Sequence, residues 1–569
     1  MLLLIASISL LLSFVSGYHT AAECTDATSA PYLPTFHVLS NVTRAGPNAV
    51  AAPLNDANAV FVYKGVFHTF NQCVNASAPK RPCAVSPGFS LQPVSWCHHV
   101  SDDGAHWRTV APAVEPLPWE AQGPCDGTLS FPNGQPVMLF SWDCACPRTG
   151  HDFARLATAH AVDPEDPYLI EWVRGGNVTF FGGEAAAFPG QIWLAADGSH
   201  YSFIGSLGGA GPWARWAAPL TAAPAFLNWT LADADFVRPA GVVRHGMTGP
   251  LFGPIPGASS AASGGGGPTH MINANIGTAF FLGTFDATLE CFNTTSPDAQ
   301  WIDVGAGGTP FGPSSHWAAA SNGNDHGDTR ALWVAWSQLS QASSLSLIRS
   351  LTYDVRSARL VSYPISEYQV LRNRTFLTDA DVGVLPPGTL HTLPQLPPEA
   401  GGAFDMLTTF ALTSLDAVEG FGLAARAPPT GPEGAAFFIQ FAVAPAAADG
   451  SRAVNVSGRM GYLDDVAGKP VCSGDIGCPS NTTVLLSGED ELRVRLLVDR
   501  PIVEVFVNEG RFAWSVDADY WPVEARVPQE IAQYNAQNSS IHFYHHGVVG
   551  TPSLHIRNVS LWGMACGWV

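Results

Sequence analysis

The residues best placed to do chemistry stand early in the chain. They are Pro53-Leu54-Asn55-Asp56-Ala57-Asn58-Ala59, followed by Tyr63-Lys64-Gly65-Val66-Phe67-His68-Thr69-Phe70-Asn71-Gln72. An Asn-Asp pair just ahead of an apolar strand places a carboxylate at the strand's mouth, where propeller folds put ligand groups. Taken alone, the pair reads rather as a turn whose aspartate caps a local backbone amide. Other reactive-looking groups have plainer explanations. Cys144-Ala-Cys146 has no further Cys or His at ligand spacing, so no metal or cofactor is expected. His98-His99 would point to opposite faces of a strand, and His542 and His546 would sit about 13 Å apart along one, so both sets read as ordinary polar or core positions. Gly264 to Gly267 lacks the strand–helix context of a phosphate cradle and reads as a flexible loop.

The elements that must position Asp56 are strands. Apolar, β-branched or aromatic runs recur at Ala59 to Phe70, Pro136 to Trp142, His200 to Ser206, Thr278 to Phe285 and Arg330 to Trp336, each bounded by Gly, Asn or Asp. Five such units point to a propeller with long loops. A Pro/Gly-rich stretch, Leu385 to Gly402, reads as a domain seam. Beyond it, runs at Phe437 to Val443, Thr483 to Leu486, Leu492 to Val498, Ile502 to Val507, Ile541 to His545 and Ser553 to Leu561 suggest a β-sandwich. The expected fold class is therefore all-β. The expected layout is a signal peptide at 1–17, a five-bladed propeller at 40–385, a linker at 386–403 and a sandwich at 404–569.

The 569 residues include 27 Lys+Arg against 47 Asp+Glu, a formal charge of −20. Charged residues are 13 % of the chain, about half the usual share. So few cations on an acidic surface exclude nucleic-acid binding. The 56 Gly, 45 Pro and 17 Trp disfavour coiled coils and helical repeats. The apolar run Leu2 to Val15 with small residues at Ser16 and Gly17 reads as a secretory signal, and no later segment approaches membrane-spanning length. Ten Asn-x-Ser/Thr sequons, at Asn41, Asn75, Asn177, Asn228, Asn293, Asn373, Asn455, Asn481, Asn538 and Asn558, predict N-glycans on an extracellular, cell-wall or vacuolar protein. The 11 cysteines suit an oxidising compartment; Cys472 with Cys478, and Cys73 with Cys83, are the local disulfide candidates.

The opening segment resembles the nucleophile motif of glycoside hydrolase family 32, the invertases and fructan hydrolases, whose usual form is Asn-Asp-Pro-Asn-Gly followed by Tyr-Lys-Gly and a Gln. The resemblance continues through Trp96-Cys97-His98-His99-Val100-Ser101, Asn133-Gly134-Gln135-Pro136-Val137, Asp166-Pro167-Tyr168-Leu169-Ile170-Glu171-Trp172-Val173 and Leu332-Trp333-Val334-Ala335-Trp336. In the second half, Val498-Asp499-Arg500 and Ile502-Val503-Glu504-Val505-Phe506 match, so the similarity runs in order along most of the chain. It implies a five-bladed propeller followed by a C-terminal sandwich. It also implies a retaining hydrolase of terminal β-fructofuranosides, sucrose or fructans, with Asp56 as nucleophile and Asn55, Asn58 and Gln72 binding the sugar. Such a site needs a second carboxyl about 5 Å away to protonate the leaving oxygen.

Two motifs depart from the family. Where it has Arg-Asp-Pro, this chain has Ala187-Phe188-Pro189, with Glu184 displaced nearby. The family's acid motif, Glu-Cys followed by Asp-Phe, aligns in order with Ala232-Asp233-Ala234-Asp235-Phe236, making Asp233 the candidate acid. Glu290-Cys291 matches literally but falls after a strand that should follow the acid. The alternative reading is a catalytically inactive, sugar-binding propeller–sandwich protein that has lost these carboxylates.

Overall fold

The computed structural model of the chain describes residues 34–39, 54–74, 78–83, 86–143, 146, 155–181, 186–207, 212–223, 225–239, 251–255, 267–274, 279–303, 330–338, 343–394, 396, 402–412, 417–427, 435–462, 480–500, 502–517, 540–546 and 552–568. The signal segment, Glu184 and the Cys472–Cys478 pair lie outside these. Strands dominate; among the described residues the helical pieces are two short 3-10 turns, Leu220–Ala222 and Ser366–Leu371.

Five antiparallel-cored sheets follow one another along the chain as the blades of a propeller. Blade I is Leu54–Tyr63, Val66–Val74, Val94–Ser101 and Arg108–Val114; blade II is Pro124–Ser130, Val137–Trp142, Leu156–Ala161 and Trp172–Asn177. Blades III to V are built around His200–Leu207, Ala279–Asp286 and Arg349–Asp354. The first strand of blade I packs against the first strands of blades II and V, so first strands gather around the axis.

The run Ala59 to Phe70 is a hairpin, not one strand: Lys64 (φ 48°) and Gly65 (φ 86°) form the two-residue turn between its arms. Both faces of the hairpin are apolar because blades cover both. Phe61, Tyr63 and Phe70 pack with Leu129, Met138 and Phe140 of blade II, while Val60, Val62 and Phe67 pack toward Leu332, Val334 and the second domain. Two disulfides brace this region. Cys73 bonds Cys97 on the adjacent strand, where antiparallel register makes the two diagonal neighbours, and Cys83 bonds Cys146. The Cys73–Cys83 expectation is thereby overturned: cross-strand register decided it, not nearness in sequence.

The second domain is a sandwich of two sheets. One is ordered Arg372–Ala380, Leu554–Met564, Ala403–Leu412, Glu491–Asp499, Ile502–Val507, Phe512–Asp517; the other Thr389–Thr392, Ser540–His545, Val418–Ala427, Ala435–Val443, Arg452–Tyr462, Ser480–Leu485. Alternating residues such as Phe404, Met406, Phe410, Phe437, Ile439, Phe441, Val503 and Val505 fill the space between them. Arg372–Ala380 and Thr389–Thr392 pair within these sheets, so sandwich strands begin ahead of residue 386 and run through the expected 386–403 linker. The prolines there break strands without separating domains.

The domains are locked by a buried charge cluster. Asp499 accepts hydrogen bonds from Thr35 N (2.6 Å), Thr35 Oγ1 (2.7 Å), Phe36 N (2.8 Å), His37 N (2.9 Å) and His37 Nδ1 (2.8 Å). Glu504 takes His37 Nε2 (3.2 Å), Leu347 N (2.8 Å) and Arg349 (2.9 Å), and Arg349 also pairs with Asp303 at 2.8 Å. Burial alone would lower the His37 pKa, but its bonds to Asp499 and Glu504 outweigh that and hold it at about 9.

Candidate functional site at the propeller mouth

The head of blade I's first strand is irregular where chemistry is expected. Leu54 pairs with Cys73 and Ala57 with Asn71, so Asn55 and Asp56 together oppose Gln72. A second irregularity between Ala57 and Ala59 leaves Asn58 without a cross-strand mate. Such bulges turn side chains away from the regular pleat. Here the first brings Asn55 Nδ2 to 3.4 Å from Gln72 Oε1 and Asp56 Oδ2 to 3.3 Å from Gln72 Nε2.

Blade II repeats the device one blade along. Pro124 pairs with Trp142 and Gly127 with Phe140, so Cys125 and Asp126 oppose Ser141. Trp96 Nε1 donates to Cys125 O (2.7 Å) and Ser141 Oγ to Asp126 O (2.9 Å), satisfying carbonyls that the bulge frees from the ladder. A Cβ on Gly127 would stand 2.5 Å from Leu139 O and Phe140 Cβ, so only glycine lets the strands close beside Asp126. Asp143 fixes the approach, accepting from Gln122 N (2.7 Å) and Gly123 N (2.9 Å).

These two heads meet. Gln72 Nε2 donates to Asp126 Oδ1 at 2.6 Å while lying 3.3 Å from Asp56 Oδ2, and Asp126 also hydrogen-bonds the Asp56 carboxyl. Asp56 is partly buried and Asp126 is 9 % exposed. Desolvation raises the Asp56 pKa, and the bonds from Asp126 and Gln72 offset part of that rise. Contact between two carboxyls disfavours the ionisation of both together.

The other expected site residues have different surroundings. Asn58 is fully buried and neither of its amide atoms has a partner, so it has no accessible surface to offer a sugar. Asp233 sits in a tight turn, accepting from Asp235 N (2.9 Å) and paired with Arg238 (3.0 Å). Ala232 beside it is exposed. Glu290 is buried against Arg215 (2.6 Å) and His200 (2.8 Å), clamping blade IV to blade III. His200 begins a strand whose far end, Ser206–Leu207, pairs with Ala186–Ala187 at the head of blade III, so Glu290 lies about 20 Å from that head. Phe188, where an Arg-Asp motif would put its Asp, adopts a left-handed φ of 50°. His98 stacks on Phe70 (4.1 Å between ring centroids) and bonds His68, while His99 faces Asn71 and Thr109 on the other side. Among the described residues no group of three or more His, Cys, Asp or Glu is arranged to hold a metal ion.

Asp126 was missed in the sequence. Its signal was a carboxylate near the start of a strand that leads toward the Asn133-Gly134 turn, as Asp56 stands near the start of its own strand.

Comparison with known proteins decides the family. The N-terminal-domain profile of glycosyl hydrolases family 32 matches residues 49–160, and the profile of that family's C-terminal domain matches residues 379–516. Both halves of the chain match models of glycosyl hydrolase family 32. Among its family 32 relatives, an insoluble β-fructofuranosidase isoenzyme (CWINV5) of Arabidopsis thaliana is 25 % identical over 356 residues, covering 56 % of each chain. The chain thus matches little more than half the length of that relative. A sucrose:sucrose 1-fructosyltransferase of Festuca arundinacea is 25 % identical over 520 residues, covering 83 % of this chain and 73 % of the relative. The crystal structure of fructan 1-exohydrolase IIa from Cichorium intybus superposes with a TM-score of 0.68 at 20 % identity, covering 95 % of this chain and 99 % of the other. The shared fold is an N-terminal five-bladed propeller followed by a C-terminal sandwich.

Proposed function

We propose that the protein is a secreted glycosidase that hydrolyses terminal β-fructofuranosides, sucrose or fructans, by a retaining mechanism with Asp56 as nucleophile. The observation that carries this reading is the bulged strand head that turns Asp56 to Gln72 at the propeller mouth. Asn55 and Gln72 supply polar contacts for sugar hydroxyls. Relatives named for β-fructofuranosidase and fructosyltransferase activity support the substrate class. The exposed sequons Asn177, Asn228, Asn373, Asn455 and Asn558 support N-glycosylation, and cell-wall relatives support an extracellular location.

The test is release of fructose by the purified protein from sucrose, levan and inulin, with the first-formed anomer read by NMR. Asp56→Asn is expected to lower turnover at least about 10⁴-fold, as loss of a covalent nucleophile does. Because burial raises the Asp56 pKa, the acid limb of the rate profile should lie above the ordinary carboxylate range. Undiminished turnover in Asp56→Asn would sink the nucleophile assignment. A wild-type protein that binds these sugars without turning them over would make it a sugar-binding family member.

A further inference from the structure

At the outer edge of blade III a sequon stands beside a bare aromatic ring. There Thr179–Phe181 pairs with Asn228–Asp233 in parallel register: Thr179 beside Asn228, Phe180 beside Trp229 and Phe181 beside Thr230. Strand alternation turns Phe180 and Trp229 inward, Phe180 against Trp216 and Trp229 against Phe203. Trp229 is fully buried, and its Nε1 donates to Phe226 O at 2.8 Å. The same alternation turns Thr179, Phe181, Asn228 and Thr230 outward, and all four are exposed. Burial of the middle residue of Asn228-Trp229-Thr230 therefore presents its two ends together on the sheet's outer face.

Around Asn228 that face is floored by small side chains. Thr179 lies beside it, Thr230 and Ala232 follow on its own strand, and Ala217 stands across from Thr230. The large apolar group beside this floor is Phe181, 51 % exposed, on the strand that ends the sheet among the described residues. One step across the sheet and two along it separate the Cα atoms of Phe181 and Asn228 by about 8 Å. A bare phenyl on an edge strand invites pairing with another chain.

Resting on the reading of these sequons as glycosylated, we propose that the glycan on Asn228 is a structural part of blade III. Its first N-acetylglucosamine lies on the small-residue floor and packs a C–H face of its ring against Phe181. Those C–H groups carry slight positive charge, which suits the negative face of a phenyl ring. The sugar covers the aromatic that the polypeptide leaves bare and screens the edge strand from a second chain. In forming the linkage, the Asn228 amide nitrogen bonds the sugar's anomeric carbon, gives up one proton and displaces the lipid diphosphate of the oligosaccharide donor.

The experiment uses the secreted protein with its glycans. It reads occupancy of Asn228 by glycopeptide mass spectrometry and amide hydrogen exchange over residues 179–181. Occupancy is expected. Trimming the glycans to one N-acetylglucosamine with an endoglycosidase should leave exchange unchanged, because the first sugar makes the contact. Asn228→Gln and Thr230→Ala both erase the sequon, and each should speed exchange about 2- to 10-fold, the equivalent of one aromatic packing contact. Agreement between the two separates loss of the sugar from the change of side chain. In a Phe181→Thr background, Asn228→Gln should add nothing further. Effects of Asn228→Gln and Phe181→Thr that simply add, or an Asn228→Gln protein that exchanges like wild type, would overturn the contact and leave the glycosylation reading intact. Faster exchange on trimming would overturn the role of the first sugar. A secreted protein with Asn228 bare overturns the glycosylation reading at this sequon and the packing with it.

Discussion

Two sets of buried carboxylates in this chain are wired in opposite ways. At the seam between the domains, Asp499 alone accepts five hydrogen bonds, and Glu504 and Asp303 close on His37 and Arg349. Every acid there faces a cation or a row of N–H donors, and these partners outweigh burial to hold Asp499 and Glu504 below the ordinary carboxylate range. At the propeller mouth, Asp56 and Asp126 face one neutral amide and each other. The difference teaches how the same residue type is assigned to structure or to chemistry. Saturation with donors pins a charge, whereas burial beside a second acid works against it.

The contrast can be broken from either side. Asp56→Asn is expected to remove activity while leaving the melting temperature within a degree or two, since the amide keeps the shape and adds no buried charge. Asp499→Ala should do the reverse to the fold: about 3–5 kcal/mol of stability lost by denaturant titration, because His37 and the Thr35–His37 amides are left buried without their acceptor. An Asp499→Ala protein as stable as wild type would show that the seam cluster is a bystander.

The pH dependence of stability sharpens the same comparison. His37 is held at about 9 against 6.5 unfolded, so its contribution is complete below about pH 6.5 and is lost as pH rises through 9. That window is worth about 3 kcal/mol. Denaturant midpoints should decline from pH 6.5 to 9 in wild type and stay flat there in His37→Gln; parallel curves would contradict the assignment. The smallest effect expected is at the mouth itself. Gly127→Ala forces a methyl against Leu139 and Phe140 and should cost about 1–3 kcal/mol, with turnover falling as the bulge shifts. Unchanged stability and turnover would mean the two strand heads can move apart freely.

What could be read in the sequence followed from local pattern. Asn55-Asp56 ahead of an apolar run marked one half of the site, and the Ile502–Val507 strand was bounded from its alternation alone. Asp126 was not marked, because its meaning depends on a neighbour 70 residues away that only the packing of adjacent blades supplies. Asp233 and Glu290 show the complementary limit: motif and order suggested a free acid, and the fold pairs each with an arginine. The hairpin at Lys64-Gly65 hid inside one apolar run because blades bury both of its faces.

The capture of Thr35–His37 by Asp499 and Glu504 has a consequence for biosynthesis. These contacts join residues 464 and 467 positions apart, among the most sequence-distant a chain of this size can form. Emerging from the ribosome, the leading segment can bond Ser344 and Leu345 of the propeller first, but its Thr35–His37 end must wait for the sandwich strands that carry Asp499 and Glu504. A nascent chain halted anywhere before residue 499 therefore carries a strap whose acidic anchors are missing and a core that still lacks Ile502 and Phe506, which gives quality-control machinery a long interval in which to engage it.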